Sequence, residues 1–215
     1  MAEFTEDEIR VLMCEFGRDL YDRKLTDTAG GNMSVRVGDL ILMTPTRAGN
    51  RYHWKLSPDQ ILALDLSGNK ISGKGELSRE TAAHIGLLNE FHPDGKAVIH
   101  GHTLNALVFC AARKPMPPVL DGSERFGVIQ QIEGAPSGSE ELAEMIVRAM
   151  RPQRDRVRKQ AAAVMAPGHG LFVLGSDLHN AFDAVERIDA NAYCIVMGMV
   201  LTGGGFPPLR EMHRG

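Results

Sequence analysis

Two histidines directly follow a predicted buried strand near the middle of the chain. Residues 97–102 read Ala-Val-Ile-His-Gly-His, and a short run of small and branched apolar residues is typical of a buried strand. Because side chains alternate along a strand, His100 and His102 are expected on the same face. Two ring nitrogens there could bind one metal ion, and a catalytic zinc usually takes three protein ligands and leaves one position open. A histidine pair inside a protein core gives the same pattern, so a third ligand and an acid or base must decide between the two interpretations.

Candidates for both roles lie outside this segment. His169 is part of a Pro-Gly-His-Gly sequence between two predicted strands, where a core histidine fits poorly and glycines let other groups approach closely. Glu80 and His84 lie one turn apart on a predicted helix that Ser78 could cap, so they share a face. A glutamate in the first turn of a helix also favours the helix dipole without any catalytic role.

A glycine-rich loop precedes the first predicted strand. The sequence Gly30-Gly31-Asn32 allows a tight loop with exposed backbone amides, and Asn32 and Ser34 add side-chain donors, a combination that suits a phosphate or a carboxylate. The same residues also form ordinary turns. A second polar segment, residues 44–47, ends a predicted hairpin with two hydroxyls and the guanidinium of Arg47.

The pattern of elements predicts an α/β fold. Thr5 and Glu8 form a capping box for a first helix that runs to about Lys24. Strands interspersed with helices, several of them joined by hairpins, indicate a mixed sheet covered by helices in a single domain over residues 1–215. The predicted strands cover residues 35–37, 40–44, 61–66, 97–100, 128–132, 161–166 and 171–174. A final long helix is expected after Ser176, which could cap it.

Composition excludes several classes of function. The chain has 215 residues, 43% hydrophobic and 24% charged, and its net charge of -3 offers no basic face for nucleic acid. One basic cluster, residues 148–159, is interpreted as a solvated connection. The longest apolar stretch, residues 193–201, is too short to cross a membrane. Three cysteines lie far apart in apolar helical patterns and no signal-peptide pattern is present, which predicts buried thiols in a reducing cytoplasm.

In this order the motifs resemble the class II aldolase/adducin family, and the resemblance covers nearly the whole chain. The motifs that carry it are Gly31-Asn32-Met33-Ser34-Val35-Arg36, Thr44-Pro45-Thr46, Ser78-Arg79-Glu80, Pro93-Asp94, residues 97–102 and Gly168-His169-Gly170. The resemblance implies a three-layer fold in which helices cover both faces of a largely antiparallel central sheet. It also implies a homotetramer with active sites at subunit interfaces.

The resemblance further assigns roles to individual residues. It implies one zinc ion per chain bound by His100, His102 and His169, with Glu80 moving protons at the bound substrate. The implied phosphate site combines the four residues Gly31, Asn32, Thr46 and Ser78.

The implied reaction is the cleavage of a ketose 1-phosphate to dihydroxyacetone phosphate and an aldehyde. Cleaving a carbon–carbon bond beside a ketone leaves an enediolate, and a divalent cation stabilises that charge as a Lewis acid. Other reactions of the family begin in the same way: 4-epimerisation of a pentulose phosphate, dehydration of a sugar phosphate, and decarboxylation of a 3-oxo acid phosphate. A metal-free, adducin-like interaction module is a different class, and it lacks the histidines.

Three departures from the family pattern bear on the substrate. Arg79 stands where the family commonly has serine, and Arg47 where it commonly has glycine. Two arginines could strengthen phosphate binding by bidentate contacts, accept a substrate carboxylate, or point away. In the family's type member a tyrosine of the neighbouring subunit donates a proton, whereas the alignment places Asp121 there and no tyrosine follows Gly205.

Overall fold

The computed structural model describes residues 4–204, which form one continuous sheet with helices against it. Over this part of the chain the helices are α1 Glu6–Asp22, α2 Ala48–Tyr52, α3 Thr81–Glu90, α4 Ala106–Ala112, α5 Glu140–Met150, α6 Arg154–Lys159 and α7 Leu178–Thr202. The strands are β1 Asn32–Val37, β2 Leu40–Met43, β3 Leu62–Leu64, β4 Lys70–Ser72, β5 Ala97–Gly101, β6 Gln130–Gln131, β7 Ala161–Ala166 and β8 Gly170–Gly175.

The sheet is mixed and largely antiparallel, as predicted. Its eight strands have the order β4-β3-β2-β1-β5-β8-β7-β6, and only the pairing of β6 with β7 is parallel. The β1–β2 hairpin turns through Gly38 and Asp39, and the φ of +58° at Gly38 suits the tight two-residue turns that match strand twist.

Helices cover both faces of the sheet, so the core divides into two layers. Along β5, Ala97 and Ile99 pack with α1, α4 and α7, whereas Val98 packs with α3, α5 and α6. This alternation explains why β5, β7 and β8 are buried on both faces and have apolar sequences without a polar face. His100 follows the same alternation and lies on the α3 side, where its ring stacks on Phe172.

The helix caps that the sequence predicted are partly confirmed. The Thr5–Glu8 capping box is present, and the Ser139 hydroxyl accepts a hydrogen bond from the Leu142 amide at the start of α5. Two predicted caps are wrong. Asp177, not Ser176, caps α7 by accepting from the Asn180 amide, and α3 begins after Glu80 without a side-chain cap.

The basic segment is more ordered than a solvated connection. It forms the end of α5 and all of α6, and its arginines pair with carboxylates at the end of α3 and in the loop that follows, such as Arg151 with Glu90 and Arg158 with Asp94.

The three cysteines are free thiols. Among the described residues, no helix combines the length and the apolar composition needed to cross a lipid bilayer.

Candidate metal centre

His100 lies near the carboxyl end of β5, and His102 directly follows the strand. His100 pairs in register with Asn32 of β1 and Phe172 of β8, and its side chain is 1% exposed. His102 lies two residues further on, and the two ring centroids are 5.0 Å apart. The alternation of side chains along the strand therefore brings both imidazoles to one place.

His169 joins them from the turn between β7 and β8. Its ring centroid lies 4.6 Å from that of His100 and 5.8 Å from that of His102. Gly170 makes this approach possible, because a Cβ there would lie 2.9 Å from His100 Cε1 and 3.0 Å from His102 Cδ2. One ring nitrogen from each histidine lies within 4.8 Å of the others.

The tautomers of the His100 and His102 rings are set by the hydrogen-bond partners of their outer nitrogens, the Nδ1 atoms. The Nδ1 of His100 donates to the Leu171 carbonyl oxygen at 3.1 Å, and the Nδ1 of His102 lies 3.3 Å from the Asp27 carboxylate. Because both partners can only accept, each neutral ring carries its proton on Nδ1 and a lone pair on Nε2. Both Nε2 atoms are buried, and neither has a hydrogen-bond partner within residues 4–204.

Unpartnered buried nitrogen atoms are costly, and a metal ion would satisfy them. Three imidazoles are one of the known ligand sets of catalytic zinc, which keeps a further position for water or substrate. Burial, together with the neighbouring histidines, holds the pKa of His100 well below its ordinary value. Burial also lowers the pKa of His169 despite the opposing effect of Glu80. These rings are therefore neutral near pH 7, the form that binds a metal.

Glu80 lies beside the cluster, with Oε1 3.6 Å from His169 Nε2. Its Oε2 accepts from the Ser78 hydroxyl at 2.8 Å and from the Asn32 amide at 3.3 Å, and its Oε1 accepts from the Ser137 hydroxyl at 3.0 Å. Burial raises the pKa of this carboxyl, but the hydrogen bonds from Ser78 and Ser137 oppose this effect, and the pKa lies below its ordinary value. Glu80 is therefore ionised at neutral pH.

One of these observations differs from expectation. Ser78 was expected to cap α3, but its hydroxyl binds the Glu80 carboxylate, and its carbonyl accepts from Thr81. His84 lies one turn after Glu80, which immediately precedes α3, and it is fully buried, with its Nδ1 2.7 Å from the Ser34 hydroxyl. Burial lowers the pKa of His84 to about 4.

A cavity of about 560 Å³ opens onto the cluster. Its lining includes the three histidines, Glu80 and every other residue that the sequence proposed for anion binding, namely Gly31, Asn32, Thr46, Arg47, Ser78 and Arg79.

Arg47 and Arg79 are exposed, and neither forms an ion pair within the described part of the chain. Asp121 lies on a separate 3-10 helix, Asp121–Phe126, and does not line the cavity.

Sequence reasoning missed two residues at this site. Ser137 precedes α5 in a Pro-Ser-Gly segment that carries no recognisable signal, and its role depends on how α5 packs beside α3. Asp27 could have been found, because an aspartate two or three residues before a glycine is typical of a turn in which the carboxylate binds backbone amides.

Comparison with known proteins identifies the family. The profile described as Class II Aldolase and Adducin N-terminal domain matches residues 11–196. The chain belongs to the class II aldolase and adducin family.

Members of this family that resemble the chain differ in the reaction that their names state. The L-fuculose phosphate aldolase of Methanocaldococcus jannaschii is 29% identical over 86% of this chain and 93% of its own length. The 3-oxo-tetronate 4-phosphate decarboxylase of Haemophilus influenzae is 31% identical over 89% of this chain and 87% of its own length. A solved L-fuculose 1-phosphate aldolase structure matches with a TM-score of 0.79 and 26% identity, covering 99% of this chain and 95% of that one.

Family membership and the three-layer α/β fold are thus confirmed for this class II aldolase family member. The family is typically metal-dependent, and the histidine cluster gives this chain a place to hold a metal. The roles of the individual residues remain predictions. Any contribution of Asp121 to this cavity would have to come from a neighbouring copy of the chain.

Removal of one imidazole should remove the metal. We expect the purified protein to bind about one divalent ion per chain. His100→Ala and His169→Ala should each reduce the metal content, measured by inductively coupled plasma mass spectrometry after dialysis, to near zero, because two ligands hold the ion too weakly. His179→Ala, which removes an exposed imidazole on α7, is the control and should retain the metal. Full metal content in folded His100→Ala would exclude this cluster as the binding site.

Proposed function

We propose that the protein is a zinc-dependent aldolase that cleaves, and in reverse forms, a ketose 1-phosphate, giving dihydroxyacetone phosphate and an aldehyde. The observation that carries this proposal is the convergence of His100, His102 and His169 beside the ionised carboxylate of Glu80. Similarity to an L-fuculose phosphate aldolase over 86% of the chain supports the choice of reaction.

The three histidines would hold the cation without cancelling its charge, because neutral imidazoles contribute none. When bound, a divalent cation supplies Lewis-acid stabilisation for the negative charge that develops beside a substrate carbonyl. The stacking of the His100 ring on Phe172, with centroids 4.1 Å apart, restricts the orientation of the first ligand. The Leu171 carbonyl restricts it further by fixing the ring proton on Nδ1.

Glu80 is the residue that would move the proton at the substrate carbon: in the condensation direction it would take this proton from dihydroxyacetone phosphate, and in the cleavage direction it would return it to the same carbon. A general base must be ionised, oriented and within reach of the proton that it takes. Hydrogen bonds from Ser78 and Ser137 meet the first two requirements, since they hold both carboxylate oxygens and keep the pKa low. Its position at the wall of the cavity, next to His169, supports the third.

The polar residues that line the cavity around the loop before β1 would bind the phosphate. Gly31, with a φ of +87°, starts the turn into β1, and Thr46, Ser78 and Asn32 add polar side chains nearby. Arg79 lies close enough for its charge to lower the pKa of His169. Binding of the unreactive phosphate end would orient the reacting carbons against Glu80 and the three histidines.

A second candidate function is decarboxylation of a 3-oxo acid phosphate. Two observations favour it: the 31% identity to a 3-oxo-tetronate 4-phosphate decarboxylase, and two arginines without ion-pair partners in the described chain that line the cavity. The two reactions also differ in the proton transfers that they require. Aldol cleavage must take a proton from the hydroxyl that becomes the aldehyde, whereas loss of carbon dioxide needs no such transfer. The chain has Asp121 at the position that the resemblance assigns to the tyrosine that exchanges this proton.

We also propose that the protein forms a homotetramer with active sites near subunit interfaces. On α7, Tyr193, Met197, Val200 and Leu201 follow a helical spacing and are 51%, 38%, 71% and 82% exposed. Exposed apolar surfaces of this kind mark sites of association.

Product analysis tests the proposed reaction. The zinc-loaded protein is incubated with a panel of ketose 1-phosphates and then with 3-oxo acid phosphates, and the products are identified by NMR. We expect dihydroxyacetone phosphate and an aldehyde from one ketose 1-phosphate. Release of carbon dioxide from an acid phosphate, without aldol cleavage, would establish the second candidate instead, and absence of turnover on both panels would contradict the proposal.

Glu80→Gln provides the matched control for the same assay. The substitution keeps the size of the side chain but removes the base, so turnover should fall by about two to four orders of magnitude while metal content stays near that of the wild type. Turnover within a few-fold of the wild type would mean that Glu80 has only a structural role.

Arg79→Ser restores the residue that the family commonly has and tests the anion site. A charge-assisted hydrogen bond to the substrate contributes roughly 1.5–3 kcal/mol, so KM should rise about tenfold or more and become less sensitive to salt, with metal content unchanged. Arg148→Ser, a change at an exposed arginine outside the cavity, is the control. An unchanged KM in Arg79→Ser would exclude Arg79 from substrate binding.

Sedimentation velocity tests the assembly. We expect a species with four times the chain mass of 23.5 kDa. Leu201→Glu should dissociate it, because a charge would be buried between copies, whereas Val11→Glu on the exposed face of α1 should leave it intact. A wild-type monomer at micromolar concentration would refute the proposed tetramer.

A further inference from the structure

Asp27 lies between α1 and β1, and its carboxylate faces two different partners. Both carboxylate oxygens lie 3.3 Å from Nδ1 of His102. Oδ1 also accepts hydrogen bonds from the backbone amides of Ala29 and Gly30, each at 2.8 Å. One side chain thus contacts a candidate metal ligand and the loop that leads to Gly31 and Asn32.

The loop is also packed directly against the ring of His102. A Cβ at Gly30 would lie only 2.1 Å from His102 Cε1, so the loop approaches the imidazole as closely as a glycine allows. The backbone of Asp27 is also held by Trp54, which donates its indole N–H to the Asp27 carbonyl at 3.3 Å. Gly49 packs on the same carbonyl, and a Cβ there would lie 2.3 Å from it.

The partner of His102 differs in kind from that of His100. The outer nitrogen of His100 donates to the backbone carbonyl of Leu171. Because every residue has a backbone carbonyl, this partner does not depend on the type of side chain at that position. The outer nitrogen of His102 meets a carboxylate, which fixes the ring proton on Nδ1 and also makes Nε2 a stronger ligand. Since the His102 side chain is 15% exposed, it is less confined by packing than His100 and depends more on such a partner.

We propose that Asp27 is a positioning residue for the metal centre: it sets the tautomer and orientation of His102 and joins this ligand to the anion-binding loop. The inference rests on the metal centre of the proposed function. The proposal assigns a role to a residue that is outside the cluster of three histidines and does not line the cavity.

Asp27→Asn separates this role from a purely structural one. The amide oxygen can still accept from Ala29 and Gly30, so the loop and the melting temperature of the metal-free protein should be preserved. The new NH2 group replaces Oδ2, one of the two acceptors that face His102 Nδ1, and the remaining Oδ1 already accepts from two backbone amides. The substitution therefore favours a proton on Nε2, the nitrogen that a metal needs. We therefore expect the Kd for zinc, measured by competition with a chelator, to rise by about 10- to 100-fold.

Asp65→Asn is the matched control. Asp65 also accepts hydrogen bonds from two backbone amides in a loop, those of Ser67 at 2.8 Å and Asn69 at 2.9 Å, but it faces no histidine. Its zinc affinity should equal that of the wild type. Asp27→Ser, whose hydroxyl can also accept from the loop amides, is the second variant and should show the same loss if Asp27→Asn does not fold.

A second readout makes failure of this inference distinguishable from failure of the proposed function. In the metal-free wild type, the imidazole 15N NMR signals of His102 should indicate a proton on Nδ1, and in Asp27→Asn they should move towards the other tautomer. A wild type that binds no zinc would refute the metal centre of the proposed function, and the tautomer comparison would still test Asp27. Equal zinc affinity, or an unchanged His102 tautomer, in the folded Asp27 variants would overturn the role of Asp27.

Discussion

The site depends on two imidazoles whose inner nitrogens are buried and have lone pairs but no partner among the described residues. The Leu171 carbonyl and the Asp27 carboxylate hold the ring protons of His100 and His102 on the outer nitrogens. The inner nitrogens therefore need a donor or a cation, and no donor is present within 4–204. Because a buried unsatisfied polar atom costs about 1–3 kcal/mol, a protein that keeps two of them together with a third imidazole has a strong physical reason to bind a metal there.

The antiparallel sheet explains why these residues meet. β1 and β8 flank β5 and run against it, so both begin at the edge where β5 ends. The loop before β1, which contains Asp27 and Gly31, and the turn before β8, which contains His169, must therefore lie beside the histidines that end β5. Helix α3 begins nearby and places Glu80 beside His169. One topological fact thus joins segments that are more than one hundred residues apart in sequence.

Periodicity predicted the parts of this arrangement that depend on local structure. The placement of His100 and His102 on one face follows from strand geometry, and the flanking glycines of His169 indicated a close approach that the structure shows at Gly170. The predicted caps of α3 and α7 were wrong because several short polar side chains near the start of a helix compete for the capping position. The sequence also does not show that the hydroxyl of Ser78 donates to a buried carboxylate. Ser137 could not be predicted, since its contact with Glu80 arises from the packing of distant segments.

X-ray absorption spectroscopy at the zinc K-edge, on protein purified with its metal, tests the central claim most directly. The account predicts zinc in every chain with a first coordination shell of nitrogen and oxygen at about 2.0–2.1 Å, and a multiple-scattering signature of three imidazoles that loses one imidazole in His169→Ala. Coordination by sulfur, or an imidazole signature that is the same in the wild type and in His169→Ala, would contradict it.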